Sequence, residues 1–358
     1  MKKKAAILLL ASAGVLWGDT PSVMPGGFAI PRPNPSFAFP RDHGSHPEFR
    51  TEWWYVTGHL DAANGRRFGF QVTFFRQASA AHEQLFLAHA ALLDADHQRF
   101  ISEERLNREG WDAESSRTTL DVHNGNWSLG LNGGLHLAAS IRTEAKIRLT
   151  MKVAKPLVVF GKDGVSIKGR SPEASSHYLT FPRLACEGTV NAGDGDTPVT
   201  GMAWMDHEFS SSQLDQEQSG WDWACLQLNE GREIMVYRMR LRNGSADPAG
   251  TTLARISKDG VVHSVDTAGF TWTPGRTWKS PKTGAVYPVE AVIRGGGEEY
   301  RLRPLIDAQE LDGAVSGLPY WEGACDVLDG GGKVVGRAFL ELAGYAGDLA
   351  KHLGPEGR

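Results

Sequence analysis

The chain has 358 residues, with 38 Lys or Arg and 42 Asp or Glu, so its formal net charge is −4. This length favours two domains over one. A chain without a basic field is not expected to bind nucleic acid. The 42 Gly, 18 Pro and 11 Trp favour strands and turns, with clustered tryptophans lining an apolar pocket.

Residues 1–18 have the pattern of an export signal. Residues 2–4 are lysines, and the apolar run 5–15 is too short to span a bilayer. Small residues suit cleavage after Ala13 or Gly18, so we expect a periplasmic or extracellular protein. The alternative is a disordered cytosolic tail, and the intact mass of the protein from its native host distinguishes the two.

A Pro- and Gly-rich lead-in covers residues 19–38, and an aromatic hairpin follows. Side chains alternate with a period of two over 52–60, turn at Asn64–Gly65 and alternate again over 67–74. This pattern predicts two paired strands.

The rest of the chain continues in the same style. Residues 102–108 are charged and predict a short helix or a lid, but no segment sustains a helical apolar stripe. The sequence therefore predicts an all-β protein, with sandwiches or barrels preferred. Alternation or apolar runs predict further strands at 145–153, 177–190, 199–209, 221–228, 233–240, 261–272, 286–294, 300–304, 320–328 and 334–345.

A faint internal repeat links the two halves. Trp53 and Tyr55 fall 168 positions before Trp221 and Trp223, and each pair begins a predicted hairpin. The repeat predicts two similar barrels joined near 213–219. Coincidence among common hairpin residues is the alternative.

The three cysteines, Cys186, Cys225 and Cys325, match no zinc-binding spacing. One disulfide with a free thiol and three buried reduced thiols are both compatible with their apolar, strand-like contexts.

Four motifs together carry a family resemblance. They are DHGSHPEFRTEWWYVTGHL at 42–60, WMDHEF at 204–209, GWDWACLQL at 220–228 and YWEGACDV at 320–327. With them the chain resembles the AttH/CrtC family of lipocalin-like proteins, which includes predicted secreted hydrolases and carotenoid 1,2-hydratases. The resemblance implies two lipocalin-like (calycin) antiparallel β-barrel domains packed together, at 39–213 and 214–358. It also implies an apolar ligand and no organic cofactor.

The hydratase branch implies particular site residues. His207 matches its histidine and Tyr237 its tyrosine, whereas Phe209 stands in place of a tryptophan and Met239 in place of an acid. These departures argue against carotenoid hydration itself.

An acid–base site is the main chemical hypothesis. A carboxyl group among Trp and Tyr side chains would have a raised pKa, as a general acid needs. The predicted catalytic residues are Glu52 or Asp206 as acid, His207 as base and Tyr237 as donor. The predicted ligand-binding residues are Asp42, His43, Trp53, Trp54, Tyr55, Trp204, Glu208, Trp221 and Trp223. The alternative is structural, with these polar groups bonded to one another and to the backbone at a barrel mouth or the domain interface.

Other chemistries have weaker signals. The two Asp-His pairs are not a spaced ligand motif, so no metal is expected. Ser45 and Ser176 lie in no GxSxG motif, which argues against a serine hydrolase. Asp222 stands on an apolar strand face and therefore needs a partner, for which Arg238 and Arg240 are the candidates.

The sequence thus favours an exported protein that binds a hydrophobic small molecule (an isoprenoid, a carotenoid or a lipid), and it leaves open whether the protein also hydrates or hydrolyses that molecule. The competing class is a non-catalytic carrier or a stress-related scaffold. Convergence of Glu52, Asp206 and His207 on one cavity would favour the enzyme. Peripheral membrane contact is compatible with such a ligand, and the oligomeric state is left open.

Overall fold

The computed structural model describes residues 23–79, 81–347 and 349, and almost all of its regular structure is β-strand. In these ranges the one helical element is a 3-10 turn at Arg41–His43. No helix there has the length and hydrophobicity to cross a bilayer. The all-β class predicted from the period-two patterns is confirmed, and the predicted export signal lies outside the described residues.

The first sheet has 13 strands. They are β1 (Thr51–Ala62), β2 (Arg67–Ala78), β3 (Gln84–Asp94), β4 (Arg99–Arg108), β5 (Ala113–Ser115), β6 (Asp121–Asn124), β7 (Trp127–Leu131), β8 (Leu135–Ile141), β9 (Ala145–Val153), β10 (Val158–Phe160), β11 (Ser166–Ile167), β12 (Ser175–Asn191) and β13 (Asp196–Ser212).

The second sheet has 10 strands, and two further strands, β19 and β20, form a small sheet of their own. The strands of this half are β14 (Gln218–Leu228), β15 (Glu233–Leu241), β16 (Thr252–Ile256), β17 (Val262–Val265), β18 (Phe270–Pro274), β19 (Trp278–Lys279), β20 (Val286–Tyr287), β21 (Ala291–Gly295), β22 (Glu298–Pro304), β23 (Glu310–Leu311), β24 (Tyr320–Asp329) and β25 (Val334–Ala343).

Both sheets are antiparallel and pair their first strand with their last. The first has the order β4-β3-β2-β1-β13-β12-β9-β8-β7-β6-β5, and β4 returns to contact β5 and β6. The second has the order β17-β16-β15-β14-β25-β24-β22-β21-β18. Each sheet closes into a nearly complete barrel, so the predicted two-barrel, lipocalin-like fold is confirmed.

Apolar side chains fill the interior of each barrel. In the first, Trp54 and Val56 point inward from β1. In the second, Leu226 and Leu228 of β14 meet Trp321 of β24. Full burial of such a side chain stabilises the fold by roughly 1.5–3 kcal/mol. The interior of each barrel is therefore a packed hydrophobic core.

A third core lies between the barrels and uses the opposite faces of the same strands. Tyr55 of β1 meets Trp223 of β14 edge to face, with ring centroids 5.4 Å apart. Gly69 permits close approach of the barrels, because a Cβ at this position would lie 2.6 Å from the Cβ of Ala324. The two barrels thus pack directly against each other, as expected.

One local prediction was wrong. The sequence predicts a short helix or lid at 102–108, but these residues form most of β4 at the edge of the first sheet. Because charged side chains stand on both faces of β4, its sequence lacks the alternation of apolar and polar residues that marks a strand. Arg105 shows why they are tolerated, because its guanidinium carbon lies 4.1 Å from the ring centroid of Trp127 and covers that core residue.

The cysteines are all buried, free thiols. Burial raises the pKa of the Cys186 thiol to about 12, so it stays protonated at neutral pH. Of the two alternatives left open by the sequence, the structure has three reduced thiols.

Asp222 has the partners that its position demands. Arg238, directly across the ladder, donates to its carboxylate at 2.6 Å, and Arg240 donates to the other oxygen. The Tyr345 hydroxyl donates to that second oxygen at 2.9 Å. The pairing predicted from the sequence is confirmed.

Asp222→Ala is expected to lower the free energy of unfolding by about 3–5 kcal/mol, because it leaves two buried guanidinium groups without their carboxylate. Glu187→Ala is the control, since its exposed pair with Lys152, at 3.2 Å, contributes about 1 kcal/mol or less. Urea denaturation followed by tryptophan fluorescence measures both. Equal losses for the two variants would contradict this account.

Candidate functional site

Strand alternation separates the predicted site residues into two places. On β1, Trp54 points into the first barrel, whereas Trp53 and Tyr55 face the space between the barrels. The register pairs Trp54 with His207 and Tyr55 with Asp206, so the same division runs through β13. Neighbours in a strand face opposite sides of the sheet.

The expected acid–base site is therefore not formed. Glu52 and His207 are together on the inner side, and Asp206 and Tyr237 are on the cavity side. His207 and Tyr237, the two residues that match the hydratase pattern, therefore lie in different places, His207 on the inner side and Tyr237 at the cavity. Phe209 lies with His207 on the inner side, with ring centroids 5.3 Å apart.

Glu52 anchors a fully buried network. Arg76 Nε donates to its Oε2 at 2.9 Å, while His207 Nε2 and His46 Nδ1 lie 2.8 and 2.9 Å from its Oε1. Burial alone would raise the pKa of Glu52, but the Arg76 charge and the two imidazole rings hold that pKa well below its ordinary value. Glu52 therefore remains a carboxylate and cannot serve as the predicted acid.

His207 is equally enclosed. Its ring stacks on Trp54 with centroids 5.0 Å apart, and burial lowers its pKa. Its Nδ1 has no hydrogen-bond partner among the described residues. Without contact with the cavity, His207 does not fill the predicted role of base.

In the described part of the chain, one cluster has side chains of the kind that bind metal ions. It consists of His46, Glu52 and His207, whose potential ligand atoms lie within 4.8 Å of one another. Their contacts have hydrogen-bond lengths, and Arg76 supplies the countercharge. Apart from His207 Nδ1, the group is held by hydrogen bonds and one ion pair among its own neighbours. This agrees with the structural alternative.

Asp42, His43 and Trp54, predicted to bind ligand, belong to the same region outside the cavity. Asp42 Oδ1 lies 3.2 Å from His46 Nε2, and the Trp54 indole donates to the His43 carbonyl at 3.0 Å. These contacts hold the segment before β1 against the first barrel. These three residues, predicted to bind ligand, do not line the cavity between the barrels.

A cavity of about 720 Å³ lies between the barrels. One wall comes from β1, β2, β3 and β13, and the opposite wall comes from β14, β15, β24 and β25. The predicted site residues that line it are Trp53, Tyr55, Asp206, Glu208, Trp221, Trp223 and Tyr237.

Asp206 is the acid at the centre of the first wall. Trp204 Nε1 and the Thr180 hydroxyl donate to its Oδ1 at 2.7 and 2.5 Å, and the Tyr178 hydroxyl donates to Oδ2 at 2.7 Å. Burial raises the pKa of Asp206 to about 7 despite these donors. The group can therefore hold and release a proton near neutral pH. Trp204, predicted to contact ligand, instead positions this carboxyl.

Lys168 neutralises the next acid along β13 and was missed by the sequence analysis. Its Nζ lies 2.9 Å from Glu208 Oε1 and 3.8 Å from the ring centroid of Tyr237. Burial lowers the pKa of Lys168. It lies beyond β11 in irregular chain, where no periodicity marks a buried side chain.

Glu322 and Glu341 form the acidic part of the second wall, and they too were missed. They lie directly opposite each other on β24 and β25. Burial, together with the Glu341 charge, raises the pKa of Glu322, and burial raises the pKa of Glu341 to about 7. The Tyr55 hydroxyl donates to Glu322 across the interface, and Trp221 Nε1 donates to Glu341 at 3.0 Å. The available signal was an acid within an apolar strand, as at Asp222.

The internal repeat has a structural counterpart in the cavity. β1 and β14 hold equivalent places, each between its hairpin partner and the last strand of its sheet. Tyr55 is opposite Asp206 in the first sheet, and Trp223 is opposite Glu341 in the second. Each half thus contributes an aromatic residue and an acid at matching positions.

The fold and the cavity define a protein of two lipocalin-like barrels with a ligand-sized space between them. The profile of a family described as AttH-like matches residues 30–345, and the chain belongs to that family.

One solved structure supports this assignment, and a second shows the fold alone. An AttH protein from Nitrosomonas europaea shares 34% identity, with 89% of this chain and 100% of that chain covered and a TM-score of 0.82. Kievitone hydratase from Nectria haematococca, at 15% identity and a TM-score of 0.69, covers 88% and 94% of the two chains and shows the same fold.

A curated relative is more distant. The ceramide-binding protein svf1 of Schizosaccharomyces pombe is 24% identical over 185 residues, which are 49% of this chain and 48% of the relative. The chain thus matches about half the length of that protein.

Asp206→Asn tests the raised pKa of the cavity acid. An acid with a pKa of about 7 in the folded state, against about 3.9 unfolded, makes the wild type lose stability as pH rises from about 4 to about 7. The variant lacks that loss. Its stability relative to wild type should therefore rise between pH 5 and pH 8, by up to about 3 kcal/mol.

Urea unfolding at the two pH values measures the change. Asp121→Asn, at an exposed position on β6, is the control and should track the wild type. A stability difference for Asp206→Asn that is flat with pH would contradict the assignment.

Proposed function

We propose that the protein binds a hydrophobic small molecule, a lipid or an isoprenoid, in the cavity between its barrels. The observation that carries the proposal is the cavity itself, about 720 Å³ in volume. Ligand sites typically measure about 300–1,000 Å³ and combine apolar walls with few polar groups. The apolar part of the lining includes Trp53, Phe75, Leu85, Leu87, Leu106, Trp221, Trp223 and Leu318.

The barrel interiors are poor candidates for the same ligand. Small barrels hold a ligand only where their inward side chains leave room. Here Trp54, Trp127 and Trp321 are fully buried within the two barrels, among aliphatic side chains. The interface remains as the place for a ligand.

The relatives are compatible with this proposal. One is named as a ceramide-binding protein, and a protein of the same fold is named as a hydratase. A lipid ligand and a water-adding reaction thus both occur among proteins similar to this chain. The export predicted from residues 1–18 belongs to the proposal as well and rests on the sequence.

Leu87→Trp is expected to weaken ligand binding tenfold or more, because Leu87 projects from β3 into the cavity and an indole would occupy ligand space. Leu131→Trp, at an exposed position on β7, is the matched control. Calorimetric titration with dodecanol and farnesol measures both. Failure of the wild type to bind either probe, or equal binding by the two variants, would contradict the proposal.

Acid-catalysed addition of water to the bound ligand is the second candidate function, favoured by the pKa of about 7 at Asp206. Its carboxyl proton would pass to one carbon of a double bond, and a water molecule would add to the resulting cation. The proton lost by that water would return to the carboxylate, so the step is balanced. Trp53 and Trp223 line the cavity, where aromatic faces stabilise a developing cation. Tyr237 also lines the cavity, which is compatible with its predicted role as donor.

Solvent extraction of the purified protein, followed by mass spectrometry, tests this reaction on the ligand that copurifies. The wild type should interconvert two species that differ by one water, and Asp206→Asn should slow the conversion at least 100-fold. Conversion that persists in the variant would exclude Asp206 as the acid. A bound species that never changes mass would favour the non-catalytic carrier.

A further inference from the structure

Acidic side chains outnumber basic ones along the described lining of the cavity. Lys168 is fully buried, and Glu208 is its ion-pair partner. No ion pair joins Asp206, Glu322 or Glu341 to a basic side chain among the described residues. These acids receive hydrogen bonds from hydroxyl and indole groups, which carry no charge.

Glu322 and Glu341 are the cavity acids that receive the fewest hydrogen bonds from neighbouring side chains. Residues directly opposite in an antiparallel ladder have Cβ atoms about 4.5–5.5 Å apart, so the two carboxyl groups compete for charge. Among residues 23–79, 81–347 and 349, each has a single neutral donor, Tyr55 for Glu322 and Trp221 for Glu341. A carboxylate has acceptor sites for further donors. The pair can therefore accept a cationic donor from the cavity.

The basic residue Arg50 lines another part of the cavity. It lies just before β1, five positions before Tyr55 in the sequence. His89 also lines the cavity, but burial lowers its pKa to about 4, so it is neutral at pH 7. The positive charge that would suit the pair must come from a bound molecule.

Aromatic rings surround the same place. Trp223 is opposite Glu341 in the ladder, and Tyr237 is opposite Trp223. Rings of this kind attract ammonium groups through their faces. The protein already contains one such arrangement, because the Lys168 ammonium lies between Glu208 and the ring of Tyr237.

The cavity has a buried, acidic end and an open, apolar end. Its acids are deep, with Glu322 only 2% exposed, whereas Leu106 and Val315 line it and are about half exposed. Between them lie Leu85, Leu87 and Phe75 of the first wall. A molecule with a polar end and a long apolar tail would place its polar end at the acids and its tail towards the opening.

On this basis, and assuming the proposed hydrophobic ligand, we infer that the ligand is a long-chain amine whose ammonium group binds between Glu322 and Glu341. The ammonium donates to both carboxylates and lies against Trp223. The tail follows the apolar wall towards Leu106.

The titratable groups that face this pair are known. They are Asp206 and Glu208 from β13, Tyr55 from β1, Cys225 from β14, Tyr237 from β15 and Tyr320 from β24, with Lys168 beside Glu208. Because the pKa of Glu341 is raised to about 7, an ammonium that favours the charged carboxylate will displace protons when it binds near pH 7. Proton release on binding is therefore a second signature.

Three probes with the same tail test the inference, namely dodecylamine, dodecanol and dodecanoate, titrated calorimetrically into the full-length protein at pH 7. The amine should bind the wild type at least tenfold more tightly than the alcohol, and the carboxylate should bind most weakly. Repeating the amine titration in buffers with different protonation enthalpies should reveal protons released. In Glu341→Gln and Glu322→Gln the amine-to-alcohol affinity ratio should fall towards one, whereas Glu187→Gln, an exposed control, should keep the wild-type ratio.

The outcomes separate the two proposals. If the alcohol binds as tightly as the amine, or if the ratio survives in both cavity variants, the amine inference is overturned while hydrophobic binding stands. If no probe binds, the cavity proposal itself fails, and the inference fails with it.

Discussion

The alternation of side chains along the central strands is the constraint on which the rest of the structure depends. Each of β1, β13, β14 and β25 sends one row of residues into a barrel core and the other into the interface. A shift of register by one residue would exchange the two rows and place Trp54 in the cavity and Tyr55 in the core. Packing of the barrels and construction of the cavity are thus two consequences of one register.

The same alternation produces two buried polar clusters with opposite electrostatics. Around Glu52, Arg76 supplies a full positive charge, and the pKa of the carboxyl is lowered. In the cavity, burial dominates and raises the pKa of Asp206 and of Glu341 to about 7. A carboxylate already held by a guanidinium contributes to structure, whereas a carboxyl group that still exchanges a proton is available for binding or chemistry.

The pseudo-repeat explains why the acids of the cavity face each other. Two similar sheets, each with its first and last strands paired, present equivalent surfaces to the interface. Asp206 and Glu341 occupy matching positions on those surfaces. The halves differ in their charges, because Lys168 compensates Glu208 in the first while Glu322 lies opposite Glu341 in the second. The two walls therefore suit different parts of one ligand.

The sequence by itself determined the all-β class, the paired aromatic strands of the two halves and the need of Asp222 for an arginine, because these depend on local periodicity and on the cost of an unpaired buried charge. It also selected part of the aromatic and acidic lining, including Tyr55, Asp206 and Trp223. Alternation within the predicted strand 199–209 already implies that Asp206 and His207 face opposite sides. Only the tertiary structure decided which of these two sides lines the cavity, and that Tyr55 meets Glu322, 267 positions away. The physical reason is that alternation assigns a side chain to a face, whereas the packing of one sheet on another decides what that face meets.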